Sequence, residues 1–504
     1  MISDLEIKLN DVSLSDYFDL TDEPDRGLFP EVQHDLVQMA RANGSRATNK
    51  RFAHRIITLP LYALSGNFRQ TKDDLANVLF AEERQRLWFS DEPDRYWLVE
   101  LTGESSWKRS LDSKGEAFGE LKFLCEDGLA HAMVPKPFQI ISTSEGVLAE
   151  VNNTGTYKTP IDINVTFTSD ANSIGFVSSD RIVQLGTSFS EDEDNAVASD
   201  KIMNDEMGTS TKNLWSVNVG RPRWRYDDGD NTSKVEGTLT WGSTDVTPAS
   251  YGSFDTSKPG YWHGPTITRV LTETLNNFEV THRLEFKPRG TKAQIPLCQG
   301  LIEINYSDAD NNFILGFEMK DNTTTSDRVT YSFFVGDFRI YEASLPTSVL
   351  NYSGGFFGSI TMGKVGNKFY FRLARIDGTT WKETWSTPTK SWTNNTVAML
   401  SASIVNSFMA QWRNYRTMSI KLTHTRITQF QTDNEALIPK TFYEGDNLFV
   451  EGETNRVYIN GIRDDSYRVT GSSQFLTAEK GLTEIVAISD GSFEGNLAIR
   501  ERYL

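Results

Sequence analysis

The sequence predicts a mainly β fold with an α/β unit at its N-terminal end, and three observations support this class. Aromatic residues make up 12% of the 504 residues, short apolar runs alternate with polar side chains, and turn residues separate these runs. Aromatic and branched side chains suit a pleated, half-buried surface, and period-two alternation turns one face of a strand toward a core. The length allows about two to four domains.

The first unit is predicted over residues 1–135. An apolar run at 56–62, interrupted by Pro60, is typical of a strand. Thr71 precedes acidic residues and then apolar residues at helical spacing, so it is predicted to cap a short helix over 71–80. Apolar runs at 87–89 and 96–99 flank an Asp/Pro turn at 91–94, which predicts a β-hairpin.

The remaining sequence divides by its texture. Residues 136–186 and 440–504 alternate in the manner of strands. Residues 187–265 are rich in Ser, Thr, Gly and acidic residues but also hold four tryptophans, which predicts an ordered, irregular connection. Residues 266–439 contain short strand-like runs separated by polar turns, which predicts a two-sheet sandwich.

The charge and the cysteine content exclude several classes of function. The net charge is -17 and the isoelectric point is about 5.0, so the basic surface that a nucleic-acid partner requires is missing. No apolar run is long enough for a membrane span, and membrane insertion is not expected. The two cysteines, Cys125 and Cys298, cannot form a disulfide framework, which fits synthesis in a reducing cytoplasm.

Several blocks occur in an order that resembles a known family. They are the helix at 71–80, the turn at 91–96, the strand and aspartate turn at 121–130, the block at 153–161, and the strands that follow Glu444-Gly445-Asp446. In this order they resemble the siphophage distal tail protein, also called Dit. Gly128 and Leu129 depart from the family, which has a proline and an aromatic residue there.

The resemblance implies an architecture. Residues 1–135 would form the ring-forming belt domain, and residues 136–186 together with 440–504 would form a discontinuous galectin-like β-sandwich. Residues 266–439 would be an inserted jelly-roll sandwich, similar to laminin-G or concanavalin folds, that follows the connection at 187–265. Long members of the family with an inserted carbohydrate-binding module have this organisation.

The resemblance also implies a function. The chain would be a structural hub of a siphovirus tail tip or baseplate, a virion protein made in the host cytoplasm. It would assemble as a homo-hexamer that joins the tail tube protein to the tail-tip hub or tail-associated protein. The insertion is expected to bind host cell-surface polysaccharide and so to act in host adhesion. The alternatives are an architectural insertion that docks other tail proteins and, as a third reading, a glycan depolymerase.

Sugar binding is predicted from aromatic residues beside polar ones, because a pyranose has an apolar face and a hydroxyl rim. The candidates are Trp381, Trp385, Trp392, Asn394, Asn395, Tyr261, Trp262 and Trp224. The alternative for each ring is packing in a core or between domains. For Trp262 this alternative is favoured, because the Gly-Pro turn after it suggests a wedge between domains.

No catalytic residue and no resident cofactor are predicted. The six histidines are not at metal-ligand spacing, and no nucleophile or phosphate-binding motif occurs. Glu303 and Glu318 are expected to be solvent-facing strand residues, so the chain is predicted not to be an enzyme. A calcium ion is the one cofactor that acidic turns could hold, and the candidate ligands are Asp227, Asp228, Asp230, Asp308 and Asp310. The alternative, which is favoured, is that these residues form solvated turns.

Overall fold

The fold is mainly β, as predicted, in the parts of the chain that the structure describes. A computed structural model describes residues 5–38, 43–64, 68–81, 83–103, 106–109, 116–143, 146–187, 199–223, 233–258, 260–291, 293–325, 328–350, 355–433, 440–469, 472–473 and 475–504. Three large hydrophobic clusters organise these residues into an N-terminal unit and two β-sandwiches.

The N-terminal unit is a twisted sheet with one helix. In the order β2-β1-β7-β8-β10-β6-β3, its strands pair around a core that includes Leu61 and Phe123. Strands β4 and β5 form a separate hairpin. The elements are β1 (Ile7–Leu9), β2 (Val12–Ser13), β3 (Asp19–Leu20), β4 (Val32–Gln38), β5 (Ser45–Phe52), β6 (Arg55–Leu64), α1 (Phe68–Leu79), β7 (Gln85–Phe89), β8 (Arg95–Leu101), β9 (Ser106–Arg109), β10 (Glu116–Cys125) and β11 (Ala130–Ala132).

Two local predictions for this unit have different outcomes. The predicted hairpin is confirmed, because β7 and β8 pair in antiparallel fashion on either side of the Asp/Pro turn. The predicted cap is wrong, because α1 begins at Phe68 and Thr71 therefore lies inside its first turn. The helix packs Leu75 and Leu79 onto the sheet.

The chain then enters a β-sandwich, leaves it for a long excursion, and returns. The first strands of this sandwich are β12 (Lys136–Gln139), β13 (Ile141–Thr143), β14 (Gly146–Asn153), β15 (Thr159–Phe167), β16 (Ser173–Val177) and β17 (Ile182–Gly186).

The excursion is a second, larger sandwich. Its elements are β18 (Ser199–Asp205), β19 (Ser216–Val217), β20 (Lys234–Val235), β21 (Thr238–Trp241), β22 (Val246–Ser250), β23 (Trp262–Gly264), β24 (Thr266–Leu275), β25 (Phe278–Lys287), β26 (Gly300–Ser307), β27 (Phe313–Asp321), β28 (Val329–Val335), β29 (Phe338–Ser344), α2 (Thr347–Leu350), β30 (Phe356–Val365), β31 (Lys368–Ile376), β32 (Glu383–Ser386), β33 (Lys390–Thr393), α3 (Asn395–Ala398), β34 (Ala402–Trp412) and β35 (Ser419–Phe430).

The returning strands complete the first sandwich. They are β36 (Asn447–Glu451), β37 (Arg456–Ile459), β38 (Ile462–Arg463), β39 (Thr477–Ala478), β40 (Gly481–Ser489), β41 (Phe493–Ile499) and β42 (Arg502–Tyr503). One sheet has the order β12-β41-β15-β36-β37-β38, and the other has the order β13-β14-β40-β16-β17. Both sheets therefore combine strands from before and after the excursion.

The large sandwich also has two sheets. The orders are β21-β22-β35-β25-β30-β31-β32, with β18 on β35, and β19-β24-β34-β26-β27-β28-β29. The predicted irregular connection at 187–265 is therefore wrong over most of its described length, because β18 to β23 pair with or extend these sheets. These strands were not predicted because their apolar runs are short and lie among polar residues. Among the described residues, no helix is long and apolar enough to cross a membrane.

A candidate binding cleft between the two sandwiches

A cleft of about 710 Å³ lies between the two sandwiches. Its floor is the outer face of β35, β25, β30 and β31 in the large sandwich, and its opposite wall comes from residues 440–467 of the other sandwich. Clefts between domains are preferred positions for ligand sites because two surfaces can contribute convergent polar groups. The cleft is therefore the candidate functional site.

Strand register brings three polar residues side by side on the floor. Arg283 of β25 lies opposite His424 of β35 on one side and opposite Ser359 of β30 on the other. Residues directly opposite each other in an antiparallel pair have their Cβ atoms about 5 Å apart. The three side chains therefore form one row across the centre of the floor.

A β-bulge creates the outward position of His424. Arg283 pairs with His424, but the next residue of β25 pairs with Leu422, so Thr423 is an extra residue. Leu422 faces the core, and without the bulge period-two alternation would place His424 on the core side as well. The bulge turns His424 toward the cleft, as bulges beside functional sites often re-aim a side chain.

Arg283 carries a positive charge that no acidic group neutralises by direct contact. Two other arginines of the cleft are paired, Arg426 with Asp446 at 2.7 Å and Arg372 with Glu383 at 2.6 Å. Among the described residues, Arg283 has no such ion pair within 4.0 Å, and its guanidinium group lies 4.9 Å from the ring centroid of Trp381. Burial lowers the pKa of Arg283.

His424 and Ser359 each present an unpaired polar atom. The Nε2 atom of His424 is 2.8 Å from the amide oxygen of Asn204, which assigns the proton to Nε2. Burial, and then the charge of Arg283, lower the pKa of His424 to about 3, so the ring is neutral. Its Nδ1 atom and the Ser359 hydroxyl have no hydrogen-bond partner, although the two residues are only 6% and 2% exposed.

Direct contacts fix the two walls relative to each other. The carboxylate of Asp446 accepts hydrogen bonds from Arg426 of the large sandwich and from Asn460 of the other sandwich. Lys382 donates to Glu451 at 2.9 Å, and the amide of Arg463 donates to Glu383 at 3.1 Å. Charge-assisted hydrogen bonds of this kind have defined geometry, so the cleft is an ordered space.

The tryptophans predicted to bind sugar lie in different environments. Trp381 is 48% exposed and does not itself line the cleft, but its ring contacts Arg283, which does. Its φ angle is +56°, an uncommon backbone state for a bulky residue that often marks functional sites. Trp392 is equally exposed on β33, whereas Trp385 packs partly against the core of the large sandwich.

The other predicted sugar-binding residues are not on the cleft floor. Asn394 caps α3 by accepting hydrogen bonds from the amides of Thr396 and Val397, and Asn395 accepts one from Asn367. Tyr261 is 2% exposed and its hydroxyl accepts from the amide of Asp255, so its prediction as a sugar contact is wrong. The ring of Trp262 packs against Trp412 at 5.3 Å. Trp224 lies outside the described residues.

The calcium candidates do not form a site in the described residues. The carboxylate of Asp308 accepts hydrogen bonds from the amides of Asp310 and Asn312 and from the side chain of Asn312, which closes a turn. In the described residues, no group of three or more acidic, histidine or cysteine side chains is arranged to hold a metal ion. Asp227, Asp228 and Asp230 lie outside the described residues.

Glu303 and Glu318 are buried, so the prediction that they face solvent is wrong. They lie directly opposite each other on β26 and β27, on the outer face of the second sheet. The amide of Arg223 donates to Glu303 at 2.9 Å, and Lys320 donates to Glu318 at 2.6 Å. Burial and the neighbouring Glu318 raise the pKa of Glu303 to about 7. The segment that contains Arg223 covers this face.

Arg283, His424 and Ser359 are not among the site residues predicted from the sequence. The sequence does indicate the position of Arg283, because Phe278, Val280 and Leu284 alternate with polar residues along β25. This alternation places Arg283 on the outer face of the sheet. Nothing in the sequence indicated which strands would flank it. The bulge that turns His424 outward also had no local signature.

The fold and the cleft define a multidomain β protein with a polar binding cleft between two sandwiches. Residues 7–125 match the family described as the phage tail protein RIFT-related domain. The N-terminal unit is therefore similar to a phage tail protein domain, in agreement with the predicted resemblance to the phage tail family for this part of the chain. No curated protein shows significant similarity to the chain.

Solved structures with similar parts include two phage proteins and an enzyme. The CBM2 module of the evolved Dit of Lactobacillus casei BL23 phage J-1 is 16% identical, covers 47% of this chain and 99% of its own, and has a TM-score of 0.40. SPP1 Dit is 18% identical, covers 36% and 74%, and has a TM-score of 0.31. Bacillus licheniformis β-glucanase is 8% identical, covers 45% and 96%, and has a TM-score of 0.29. At these TM-scores, the solved structures do not define a function for the chain.

Proposed function

We propose that the chain is a distal tail protein, the structural hub of a phage tail tip, and that its inserted sandwich binds a saccharide of the host cell surface. The phage tail domain at residues 7–125 supports the hub role. The domain division that goes with this role is a belt at 1–135, a sandwich made of 136–186 and 440–504, and an insertion between them.

The hub assembles as a homo-hexamer around the tail axis, with the tail tube protein on one side and the tail-tip hub or tail-associated protein on the other. A head-to-tail contact repeated by rotation closes a ring. Each ring then carries its insertions outward as part of the virion. Linked presentation of weak sites raises avidity by about 10²–10⁴.

One observation carries the saccharide-binding part of the proposal: an exposed tryptophan, Trp381, contacts Arg283, which lines a polar cleft. The ring of Trp381 offers an apolar plane for one face of a sugar. The floor beside it offers hydrogen-bonding groups without internal partners, which suit the hydroxyl rim. We assign the insertion a binding role and no catalytic role.

The test is binding of the full chain to a glycan array and to host cells. Trp381→Ala should weaken saccharide binding about ten-fold or more, because a stacked ring at a binding site contributes more than about 1.4 kcal/mol. Phe338→Ala is the matched control, since Phe338 is exposed on an edge strand of the other sheet. Trp392→Ala, tested in parallel, separates the cleft from the other exposed tryptophan.

The architectural alternative predicts a different result. If the insertion only docks other tail proteins, the full chain gives no saturable signal on any glycan, and insertion variants fail to assemble with a tail protein. A release of reducing ends from host polysaccharide by the purified chain would instead support the depolymerase reading.

A further inference from the structure

We infer that the cleft selects an anionic saccharide, one that carries a carboxylate or a phosphate group, and that Arg283 binds this group between His424 and Ser359. The inference rests on the proposed saccharide-binding function and specifies the chemical class of its ligand.

The first step is the charge of the floor. Arg283 lies in the centre of a partly buried surface with no carboxylate in direct contact among the described residues, whereas Arg372 and Arg426 are neutralised by neighbours. A guanidinium group that is removed from water requires a compensating anion. Its planar set of donors matches the two oxygens of a carboxylate or phosphate.

The second step is the pair of unmet hydrogen bonds on either side of Arg283. Buried polar atoms are almost always paired, so the Nδ1 atom of His424 and the hydroxyl of Ser359 indicate partners supplied from outside the chain. A neutral imidazole with its proton on Nε2 can only accept at Nδ1, so it requires a donor such as a sugar hydroxyl. The Ser359 hydroxyl can donate to the anion.

The charge and the unpaired atoms of the floor together define the ligand. The ligand must place an anionic group at Arg283, a hydroxyl group at the neighbouring His424, and an apolar face near Trp381. A sugar acid or a phosphorylated sugar has all three features. On the opposite wall, Lys440 also lines the cleft, where it forms an ion pair with Asp464 at 4.0 Å.

The experiment measures binding of the full chain by calorimetry to three probes. They are tetragalacturonate, the neutral tetrasaccharide obtained by reducing its carboxyl groups, and galactose 6-phosphate. At least one anionic probe should bind ten-fold or more tighter than the neutral probe. Arg283→Met should reduce that affinity about 10- to 100-fold, the range for a hydrogen bond to a charged group. Arg283→Lys should retain part of it, and higher salt should weaken it.

The controls separate the site from the fold. Arg339→Met removes an arginine from the other sheet and should leave binding unchanged. Ser359→Ala removes one buried hydroxyl and should lower the affinity for the anionic probe about three-fold while the thermal unfolding midpoint stays within a few degrees. This small change keeps the test valid if Arg283→Met fails to fold.

Each remaining outcome overturns something specific. Equal binding of neutral and anionic probes that is lost in Trp381→Ala but kept in Arg283→Met overturns the selection for anions and leaves the saccharide-binding function standing. Anionic binding that Arg283→Met does not alter overturns the assignment of the site. No binding to any probe or to a glycan array overturns both proposals.

Discussion

The two outer faces of the large sandwich make the most instructive comparison in the molecule. Both carry ionisable residues on central strands, Glu303 and Glu318 on one sheet and Glu279 and Arg283 on the other. On the first face, the segment around Arg223 covers the residues. On the second face, Glu279 and Arg283 line a cleft of about 710 Å³. Perturbed pKa values occur on both faces, at Glu303 on the first and at His424 on the second, so access is what distinguishes the cleft.

The covered face is closed by close packing. The guanidinium group of Arg223 lies 4.4 Å from the ring centroids of both Phe313 and Phe334. The guanidinium group fits beside Gly316 of β27 because this residue has no side chain. A Cβ atom on Gly316 would lie 2.2 Å from Arg223. Gly220 allows the same segment to approach Asn406. The two faces therefore differ as a sealed surface and an accessible one, and three substitutions and one pH titration test this difference.

The largest expected effect is on the wall of the open face. Asp446→Ala removes the carboxylate that pairs with Arg426 and leaves a largely buried guanidinium group without a partner. We expect the free energy of unfolding to fall by about 4 kcal/mol, because breaking a buried ion pair has this effect. Urea unfolding measures the loss. Asp180→Ala, which removes an exposed carboxylate, is the control and should cost less than about 0.5 kcal/mol.

The covered face should make stability depend on pH. The pKa of Glu303 is raised to about 7 in the folded chain, so the folded state holds a proton that the unfolded state loses near its ordinary value of 4.5. The contribution of Glu303 to the free energy of unfolding is therefore fully present below about pH 4.5. It is lost as the pH rises through 7, and the loss amounts to up to about 3 kcal/mol.

Glu303→Gln tests this dependence. The variant should lose the decline in stability between pH 5 and pH 8, as measured by urea unfolding at several pH values. Glu342→Gln changes an exposed carboxyl group on β29 of the same sheet and should keep the wild-type profile. A Glu303→Gln profile identical to that of the wild type would contradict the account of the covered face.

A smaller effect is expected from the glycine that seats Arg223. Gly316→Ala places a methyl group against a guanidinium group held between two rings, and we expect a loss of about 2 kcal/mol from overpacking. Gly378→Ala is the matched control, because a Cβ atom there meets nothing within 4 Å. Equal stability of the two variants would show that the segment yields easily, and the distinction between the faces would weaken.

The last prediction is that the protonation state of His424, on the open face, does not change with pH. Because the pKa of His424 is lowered to about 3, its ring stays neutral between pH 5 and pH 8. Its ¹⁵N chemical shifts should therefore be constant over this range, and an imidazolium signal near pH 6 would contradict the burial of the ring. The two faces would then differ in pH response as well as in access.

The sequence was sufficient for the fold class because alternation is a local property. The hairpin of β7 and β8 and the polar alternation of β25 follow from neighbouring residues alone. The strands at 199–250 were missed because short strands inside polar, Gly-rich sequence lack a clear period. Their pairing with β35 and β24 supplies the stability that the local pattern does not indicate.

The site was only partly predictable because it depends on register between distant strands. Trp381 was identified from its polar neighbours, and its exposure agrees with that interpretation. Tyr261 has similar neighbours in the sequence, but its side chain is buried, and its hydroxyl group accepts a hydrogen bond from the amide of Asp255. Arg283, His424 and Ser359 come from three separate strands, and an extra residue in β35 determines that His424 faces outward.

The pairing of β42 with β11 has a consequence for the order in which the molecule is built. Arg500 donates to the carbonyl oxygens of Ala132 and Met133, and 368 residues separate Arg500 from Ala132 in sequence. During synthesis, one edge of β11 stays unpaired until both sandwiches have emerged from the ribosome. A nascent chain that stalls within the large sandwich would therefore have an incomplete N-terminal sheet, and this sheet is completed only in chains that already carry both sandwiches.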